Sequence, residues 1–222
     1  MASLYRYINE KHMDSTLAGK VLFRALTYYR DLENDGIRGD RFEGSRIHRP
    51  EEGLLITNVK TGEQIKLGNE HFISSAHEEY IYVSCMSTEL SKELFEKFES
   101  NVCIEILDGV RYFQRIQKAI RKFLGDKVSK QAKSENVNYY SFQDPLKENW
   151  ALPERIAFSK PKEFEWQKEF RIAYPTNDAF DFENVKIQIK QIEKHNEFKN
   201  KSHGQRFIDI GNIERLCNVH RV

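Results

Sequence analysis

Cysteine and proline are scarce in this 222-residue sequence, which has three cysteines and five prolines. Cys85, Cys103 and Cys217 are an odd number of widely separated residues in strand-like or apolar contexts, which favours buried thiols over disulfides or a zinc site. No apolar stretch approaches the roughly 18 residues that would suggest a membrane span. Residues 1–9 lack the basic and apolar pattern of a signal peptide. These absences predict a soluble, cytoplasmic protein without membrane contact.

An excess of one charge is absent as well. The sequence has 35 basic and 34 acidic residues and a formal net charge of +1, which argues against a surface built as a whole to bind polyanions. Only a local basic patch could serve that purpose. With 39% hydrophobic residues, a chain of this length can bury one substantial core. We therefore predict a single domain spanning residues 1–222.

Signatures of familiar enzyme classes are also missing. The sequence has no Gly-rich phosphate loop ending in Lys-Ser or Lys-Thr, no Gly-x-Gly-x-x-Gly after a strand, no Gly-x-Ser-x-Gly and no His pair at metalloprotease spacing. The seven histidines are scattered along the chain, so none is assigned a catalytic role by its spacing. Any enzymatic function must depend on less familiar motifs.

Apolar periodicity predicts a mixture of strands and helices without a fixed alternation. A short helix capped by Ser15 or Thr16 precedes an extended piece before residue 34, and further helices are predicted at 89–100, capped by Thr88, and at 109–124. The predicted strands are 4–8, a hairpin at 54–67 that turns at 60–63, 80–88, 102–107, 139–142, 166–174, 185–190 and 206–210. The sum is an α+β fold with a mostly antiparallel, twisted sheet and flanking helices.

Two polar segments lack any apolar period. Residues 34–53 contain four glycines, a proline and many charges, which predicts a long charged loop: a lid over a nucleotide, a partner-facing surface or simply a solvated loop. Residues 126–138 are interpreted as a second loop. Asp40 and Glu43 in the first segment could hold magnesium for a nuclease, but no second cluster with a matching lysine accompanies them. A metal-dependent nuclease is therefore the weaker alternative, and no metal is expected.

The stretch "EWQKEFRIAYP", residues 165–175, carries the most chemistry. If it is a strand, apolar residues alternate with polar ones across the two faces of the sheet. The core face then contains Trp166, Phe170, Ile172 and Tyr174, and the other face contains Gln167, Glu169 and Arg171. A carboxylate beside an amide suits the cleavage of a glycosidic bond, because the carboxylate stabilises the sugar cation and the amide orients the nucleophile.

A structural interpretation of the same pair is equally simple. On a solvated face, Glu169 would pair with Arg171 or with a cross-strand lysine and contribute about 0.2 to 1 kcal/mol. The spacing recurs at Gln191 and Glu193, so the short motif has little specificity by itself.

The order of three blocks, "LYRYI", "YVSCMS" and "EWQKEFRI", resembles the strand motifs of the ADP-ribosyltransferase superfamily. These motifs are an arginine or histidine on the first strand, serines on a middle strand and a glutamate on a late strand. The blocks are also similar to a little-characterised bacterial domain family with a Tyr-rich first strand and a late Glu-x-Glu-Tyr-Arg signature. The resemblance implies a split, mostly antiparallel sheet.

The resemblance also implies roles for individual residues. Arg6 would bind the phosphate or ribose region of NAD, Glu169 would hold the ribose hydroxyl and stabilise the oxocarbenium-like state, and Gln167 would orient the acceptor. The middle block departs from a compact Ser-Thr-Ser, so either Ser84 or Ser87 is the equivalent serine. An aromatic residue would stack on nicotinamide. The candidates for that role are Tyr28, Tyr29 and Tyr82.

The function implied by the resemblance is transfer of ADP-ribose from NAD, used as a substrate, to a protein or nucleic acid. Small intracellular members of the superfamily serve as bacterial toxins or in defence against phage, which implies an antitoxin as a partner. The competing hypothesis is a non-catalytic module that binds nucleic acid or protein. It depends on the basic face of the helix at 109–124 and on the basic, aromatic-containing tail at 190–206.

Overall fold

An antiparallel sheet built around one central strand organises the chain. The computed structural model describes residues 3–32, 39–147, 149–191 and 204–222. The strands in these ranges are β1 (Leu4–Ile8), β2 (Lys20–Ala25), β3 (Ser45–His48), β4 (Leu54–Thr57), β5 (Gln64–Leu67), β6 (Glu70–Ser75), β7 (Ile81–Ser87), β8 (Val102–Ile106), β9 (Lys133–Asn136), β10 (Asn138–Tyr140), β11 (Ser159–Pro161), β12 (Glu169–Pro175), β13 (Lys186–Gln191), β14 (Gln205–Asp209) and β15 (Cys217–Arg221). The α-helices are α1 (Met13–Leu17), α2 (Leu26–Arg30), α3 (Lys92–Lys97), α4 (Gly109–Leu124), α5 (Asp126–Gln131) and α6 (Pro153–Ala157).

The main sheet divides along one edge of β7. On one side, β12 pairs with β7 from end to end, and β9 pairs with β12 at the outer edge. On the other side, β2 pairs with β7 at Val83 and Tyr82, whereas β1 pairs with it at Ser87. Beyond β2 lies β14, and beyond β1 lie β8 and β15. The edge of β7 therefore changes partners between Val83 and Ser87.

The two faces of this sheet contact different parts of the chain. Directly paired residues of antiparallel strands share a face, so Phe170 and Ile172 of β12 share theirs with Met86 and Ser84 of β7. This face packs with α4 in the largest apolar cluster. The opposite face of β7 and β12 presents Glu169, Arg171 and Cys85. The prediction of an α+β fold with a mostly antiparallel sheet is confirmed.

Helix α4 covers the first face. Its first turn is capped by the Asp108 carboxylate, which accepts a hydrogen bond from the backbone N–H of Arg111 at 2.9 Å. Ile116 and Ile120 are buried as the periodicity predicted, and Tyr112 joins them. The predicted face also included Val110, Phe113 and Phe123; Val110 and Phe123 are exposed, and Phe113 is only partly buried.

Several predicted boundaries were wrong. Helix α1 begins at Met13, so neither Ser15 nor Thr16 is its cap, and the separate helix α2 follows the extended piece. Thr88 does not cap α3, because its backbone N–H and hydroxyl both donate to the carbonyl of Lys168. Ser91 caps α3 instead. Strands β6 and β15 were not predicted, whereas the hairpin of β4 and β5 is confirmed.

Both predicted polar loops contain regular structure. The described part of the segment 34–53, which begins at residue 39, forms β3, and Phe42 packs with Ile47 and Ile73 in a small apolar cluster. The second segment forms α5 and β9. These elements escaped prediction because β9 has no apolar alternation and is specified by its pairing with β12.

Within the described ranges, no helix combines the length and apolarity that crossing a membrane would need. The three cysteines are free; Cys103 is buried, and Cys85 and Cys217 are partly buried.

Gly19 and Gly211 bring two backbone segments into close contact. The φ angle of Gly19 is +91°, and a Cβ atom added there would lie 2.0 Å from the carbonyl oxygen of Gly211. Gly62 also has a positive φ, of +74°, but has nothing within 4 Å of the corresponding position.

We expect Gly62→Ala to cost about 1–2 kcal/mol of unfolding free energy through backbone strain. Gly19→Ala should cost about 1–3 kcal/mol more through the added clash. Urea denaturation measures both costs, and equal costs would show that the Gly211 segment yields.

Candidate functional site

Arg171 of β12 lies at the centre of a buried ionic cluster. Its side chain is 1% exposed and donates from Nη1 and Nη2 to the two oxygens of Glu43, at 2.6 and 2.8 Å. Its Nε donates to Oε1 of Glu169 at 2.6 Å, and Nη1 also donates to the carbonyl of Ala157 at 2.6 Å. The fork geometry of the guanidinium group therefore holds two carboxylates at once.

Lys160 of β11 supplies the second cation of this cluster. Its Nζ lies 2.8 Å from Oε2 of Glu169 and 3.9 Å from Oε2 of Glu43. It also donates to the amide oxygen of Gln167 at 2.7 Å. Glu43, Lys160, Glu169 and Arg171 thus form a charge-balanced set of two carboxylates and two cations, all with side chains no more than 5% exposed.

The local backbone separates Gln167 from Glu169. Gln167 ends a 3-10 helix (Lys162–Gln167), Lys168 adopts the left-handed conformation with φ of 45°, and β12 begins at Glu169. The prediction of one strand through both residues was therefore wrong, although both side chains contact Lys160. Trp166 lies in the same 3-10 helix and packs against Phe98 in a tilted arrangement, with ring centroids 5.4 Å apart, rather than facing the core of the sheet.

The predicted solvated face was also wrong. Glu169 does pair with Arg171 and with a lysine, but it is only 5% exposed and Arg171 is fully buried. The difference arises because the segment containing Glu43 covers this face of β12. Phe42 anchors that segment in its small apolar cluster. Charged residues at alternate positions of a strand predict a solvated face only where no segment from elsewhere in the chain covers that face.

The cluster keeps Glu169 ionised. Burial alone would raise the pKa of Glu169, but the charges of Arg171 and Lys160 outweigh it and lower the pKa to about 2. Burial works against the charge of Lys160 as well, yet the attraction of Glu169 leaves the pKa of Lys160 above its ordinary value. Tyr139 adds a further contact, since its hydroxyl accepts a hydrogen bond from the backbone N–H of Glu169 at 2.8 Å.

Asp40 is a third acidic group beside the cluster. It is 1% exposed, and its Oδ1 accepts a hydrogen bond from the backbone N–H of Phe42 at 2.8 Å. In the described part of the chain, its Oδ2 is buried without a hydrogen-bond partner. Burial and the neighbouring charge of Glu43 raise the pKa of Asp40 to about 7. Asp40 is therefore the carboxyl group of this site that can exchange a proton near neutral pH.

Arg6 and Ser84 meet where the sheet divides. Nη1 of Arg6 donates to Oγ of Ser84 at 2.9 Å, although 78 residues separate them in sequence. Burial raises the pKa of both Tyr29 and Tyr112, and the positive charge of Arg6 opposes that rise at both hydroxyls. Arg6 therefore acts electrostatically on Tyr29, which belongs to α2, and on Tyr112, which belongs to α4.

Tyr29 is affected by both Arg6 and the ionic cluster. Sγ of Cys85 is 3.9 Å from the Tyr29 hydroxyl, and after burial and Cys85 the charge of Glu169 is a further cause that raises the pKa of Tyr29. Burial and Glu169 also raise the pKa of Cys85 to about 12, so its thiol stays protonated and is not an activated nucleophile. The Tyr29 hydroxyl and the Cys85 thiol are thus neutral groups that can donate hydrogen bonds close to the charge of Glu169.

The two candidate serines have different surroundings. Ser84 pairs with Ile172 across the strands and shares its face, so Ser84 and Glu169 project from opposite faces of the sheet. Ser87 pairs directly with Glu169, donates to the carbonyl of Lys168 at 3.4 Å and accepts from the backbone N–H of Glu89 at 3.2 Å. Arg6 thus contacts Ser84, whereas the serine beside Glu169 is Ser87.

The structure also separates the three candidate aromatic residues. The guanidinium carbon of Arg24 lies 3.7 Å from the ring centroid of Tyr28. Tyr82 stacks on Tyr174 with ring centroids 5.4 Å apart and an interplanar angle of 8°. Tyr29 is the candidate whose hydroxyl both Arg6 and Glu169 affect.

The residues missed from the sequence are Lys160, Arg171 and Tyr139. Arg171 stands within the stretch that was singled out and was interpreted as a surface charge. Lys160 and Tyr139 precede Glu169 by 9 and 30 positions and belong to no recognisable spacing. Among the residues that the structure describes, no group of three His, Cys, Asp or Glu side chains is arranged to hold a metal ion.

Comparisons with known proteins provide no assignment: no family model matches this chain, and neither a curated protein nor a solved structure matches it.

Proposed function

We propose that the chain transfers ADP-ribose from NAD to a macromolecular acceptor at the division of the sheet beside β7. The observation that carries the proposal is the setting of Tyr29, whose hydroxyl lies 3.9 Å from Sγ of Cys85 and whose pKa, raised chiefly by burial, is also affected by Glu169 and Arg6. Arg6 is in turn bonded to Ser84. Four residues from four separate elements, all singled out by the resemblance, are thereby connected in three dimensions.

The chemistry assigns each residue a role. An acceptor atom attacks C1′ of the nicotinamide ribose, the bond between C1′ and the ring nitrogen breaks, and nicotinamide leaves with the electron pair while the acceptor loses a proton. Glu169, ionised at neutral pH, holds the ribose hydroxyl and stabilises the developing positive charge. Arg171, Lys160 and the Cys85 thiol already donate to its two oxygens, so of their four lone pairs one remains for the sugar.

The other residues bind NAD or position the reacting groups. Arg6 contacts a phosphate or ribose oxygen of NAD, and Tyr29 stacks on or donates to the nicotinamide group. Lys160 and Arg171 are positioning residues because they fix the carboxylate of Glu169 from two directions. Gln167, whose amide oxygen accepts from Lys160, orients the acceptor from the 3-10 helix.

The test uses NAD labelled in its adenosine half and incubated with purified protein and a bacterial extract. We expect labelled product in the protein or RNA fraction with wild type. Arg6→Ala and Glu169→Gln should reduce its rate by about 100-fold or more, as does the loss of one group that stabilises a transition state. Arg221→Ala, which removes an exposed arginine from β15 of the same sheet, should retain the wild-type rate.

Thermal denaturation of each variant separates lost chemistry from lost folding. Glu169→Gln disturbs the buried cluster, whereas Arg6 lies outside it, so Arg6→Ala is the decisive variant. If wild type neither consumes NAD nor labels any fraction, the transferase proposal is wrong. An equal rate in wild type and Arg6→Ala would show that the active site does not lie at the division of the sheet.

A binding module without turnover is the second candidate, and the exposed cations of α4 favour it. Arg111, Lys118 and Lys122 are exposed on this helix. Two neighbours are engaged within the protein, since Arg115 donates to the carbonyl of Asn212 at 2.7 Å and Arg121 pairs with Asp126 at 3.0 Å. The predicted basic tail at 190–206 lies mostly outside the described residues. Retention of RNA at low salt without NAD consumption would favour this candidate.

A further inference from the structure

A small polar cavity lies between the outer edge of the sheet and the β3 segment. It has a volume of about 170 Å³ and is bordered by β9, β10, α6 and the loop before α6. That volume suits one tetrahedral oxyanion with part of its hydration shell and is below the range of about 300 Å³ and more that is typical of drug-sized ligands.

The charged residue buried in this cavity lining is Arg46. It is 8% exposed, and within the described ranges its Nε is buried without a hydrogen-bond partner. Its guanidinium carbon lies 5.0 Å from the ring centroid of Tyr140, which is itself buried. A guanidinium N–H left without an acceptor is costly in a folded protein, and an anion in the cavity would supply the missing acceptor.

The charges around the cavity favour an anion with two negative charges. Arg46, Lys147 and Arg155 contribute three cations to the lining, and Glu135 contributes one carboxylate, which pairs with Arg155 at 2.8 Å. Asp144 is close enough to Arg46 to act on its charge but does not line the cavity. Side-chain amides of Asn138 and Asn149 at the rim add neutral donors.

We propose that this cavity binds a phosphate group, as the free ion or as the phosphate monoester of a small nucleotide. A phosphate monoester carries close to two negative charges at neutral pH, which balances the lining, and guanidinium groups match its oxygens in geometry. Arg46 binds from the buried end, and Lys147 and Arg155 bind from the open end. The site is separate from the residues assigned to NAD and does not depend on the transferase activity.

The test is calorimetric titration of the purified chain with inorganic phosphate, with AMP and with adenosine, at low salt. We expect phosphate and AMP to bind and adenosine not to bind. Arg46→Met, which keeps an apolar side chain of similar length beside Tyr140, should weaken phosphate binding by about tenfold or more, the effect of one charged hydrogen bond. Lys147→Ala at the exposed rim should weaken it by a smaller factor.

Arg41→Met is the matched control. Its guanidinium carbon also lies over an aromatic ring, at 4.6 Å from the centroid of Phe42, but Arg41 does not line the cavity. This variant should bind phosphate like wild type. Tighter binding of AMP than of phosphate would identify the nucleotide as the source of the group, and the reverse would identify the free ion. No binding of phosphate by wild type, equal binding by wild type and Arg46→Met, or equal binding of adenosine and AMP would each overturn the proposal.

Discussion

Replacing Arg171 by methionine is expected to lower the free energy of unfolding by about 3–5 kcal/mol, because the change leaves two buried carboxylates without their shared cation. Of the ion pairs within the described ranges, Glu43 would keep the one with Lys160 at 3.9 Å, and Glu169 would keep the one with Lys160 at 2.8 Å. Methionine fills much of the space of the arginine stem, so the loss reports charge more than packing. Urea denaturation at pH 7 measures it.

Two further variants make this expectation specific. Arg221→Met removes an exposed arginine that lies 3.5 Å from Glu10, and its cost should stay within about 0.5 kcal/mol. Glu43→Gln in the Arg171→Met background removes one uncompensated charge, so the double variant should be less destabilised than the sum of the single variants. A cost below about 1 kcal/mol for Arg171→Met would mean that the carboxylates reach water or take up protons.

Asp40→Asn is expected to change how stability depends on pH. The pKa of Asp40 is about 7 in the folded protein, against an ordinary value of 3.8. Between these values the folded state holds a proton that the unfolded chain releases, so raising the pH favours unfolding. At about 1.36 kcal/mol for each pH unit, wild type should lose about 2–3 kcal/mol more than Asp40→Asn between pH 5 and pH 8.

Comparing the two proteins removes the contribution of other groups. Glu169 loses its stabilising effect only as the pH falls from its ordinary value towards 2, below the window. His71 and His48 contribute equally to both proteins. Asp126→Asn serves as a control, because the hydrogen bond to Lys130 lowers the pKa of this exposed carboxylate from an ordinary value of 3.8 that is already below the window. Parallel pH profiles for wild type and Asp40→Asn would show that Asp40 is already ionised at pH 5.

Sequence patterns predict the strands and helices whose own apolar residues show which face is buried. Strands β7 and β8 are rich in β-branched and aromatic residues, and α4 repeats its apolar residues at helical spacing. The elements that were missed, such as β15 with the sequence CNVHR, are specified by a neighbouring strand rather than by their own pattern. Pairing partners far along the chain are not visible in a window of ten residues.

The candidate site was predictable in its residues but not in its environment. Glu169 and Arg6 were recognised from the order of three blocks, but their surroundings depend on contacts across 128 and 78 positions of sequence. Arg171 has the same neighbours in sequence whether it is solvated or buried, and the partner that compensates its burial together with Glu169 is Glu43, which the local sequence does not reveal. The side chains of Ser84 and Ser87 project from opposite faces because their separation is odd, which the strand period already implied.

The central strand β7 is synthesised well before its partner β12, and this delay has a kinetic consequence. Strands β1 and β2 precede β7 in the chain, whereas β12 follows it by about 80 residues. At about 5–20 residues per second, synthesis of that stretch takes on the order of 4–16 seconds. During this time the β12 side of β7 is a row of unpaired N–H and C=O groups open to pairing with other chains. The segment that brings Glu169 and Arg171 to the site also closes this edge.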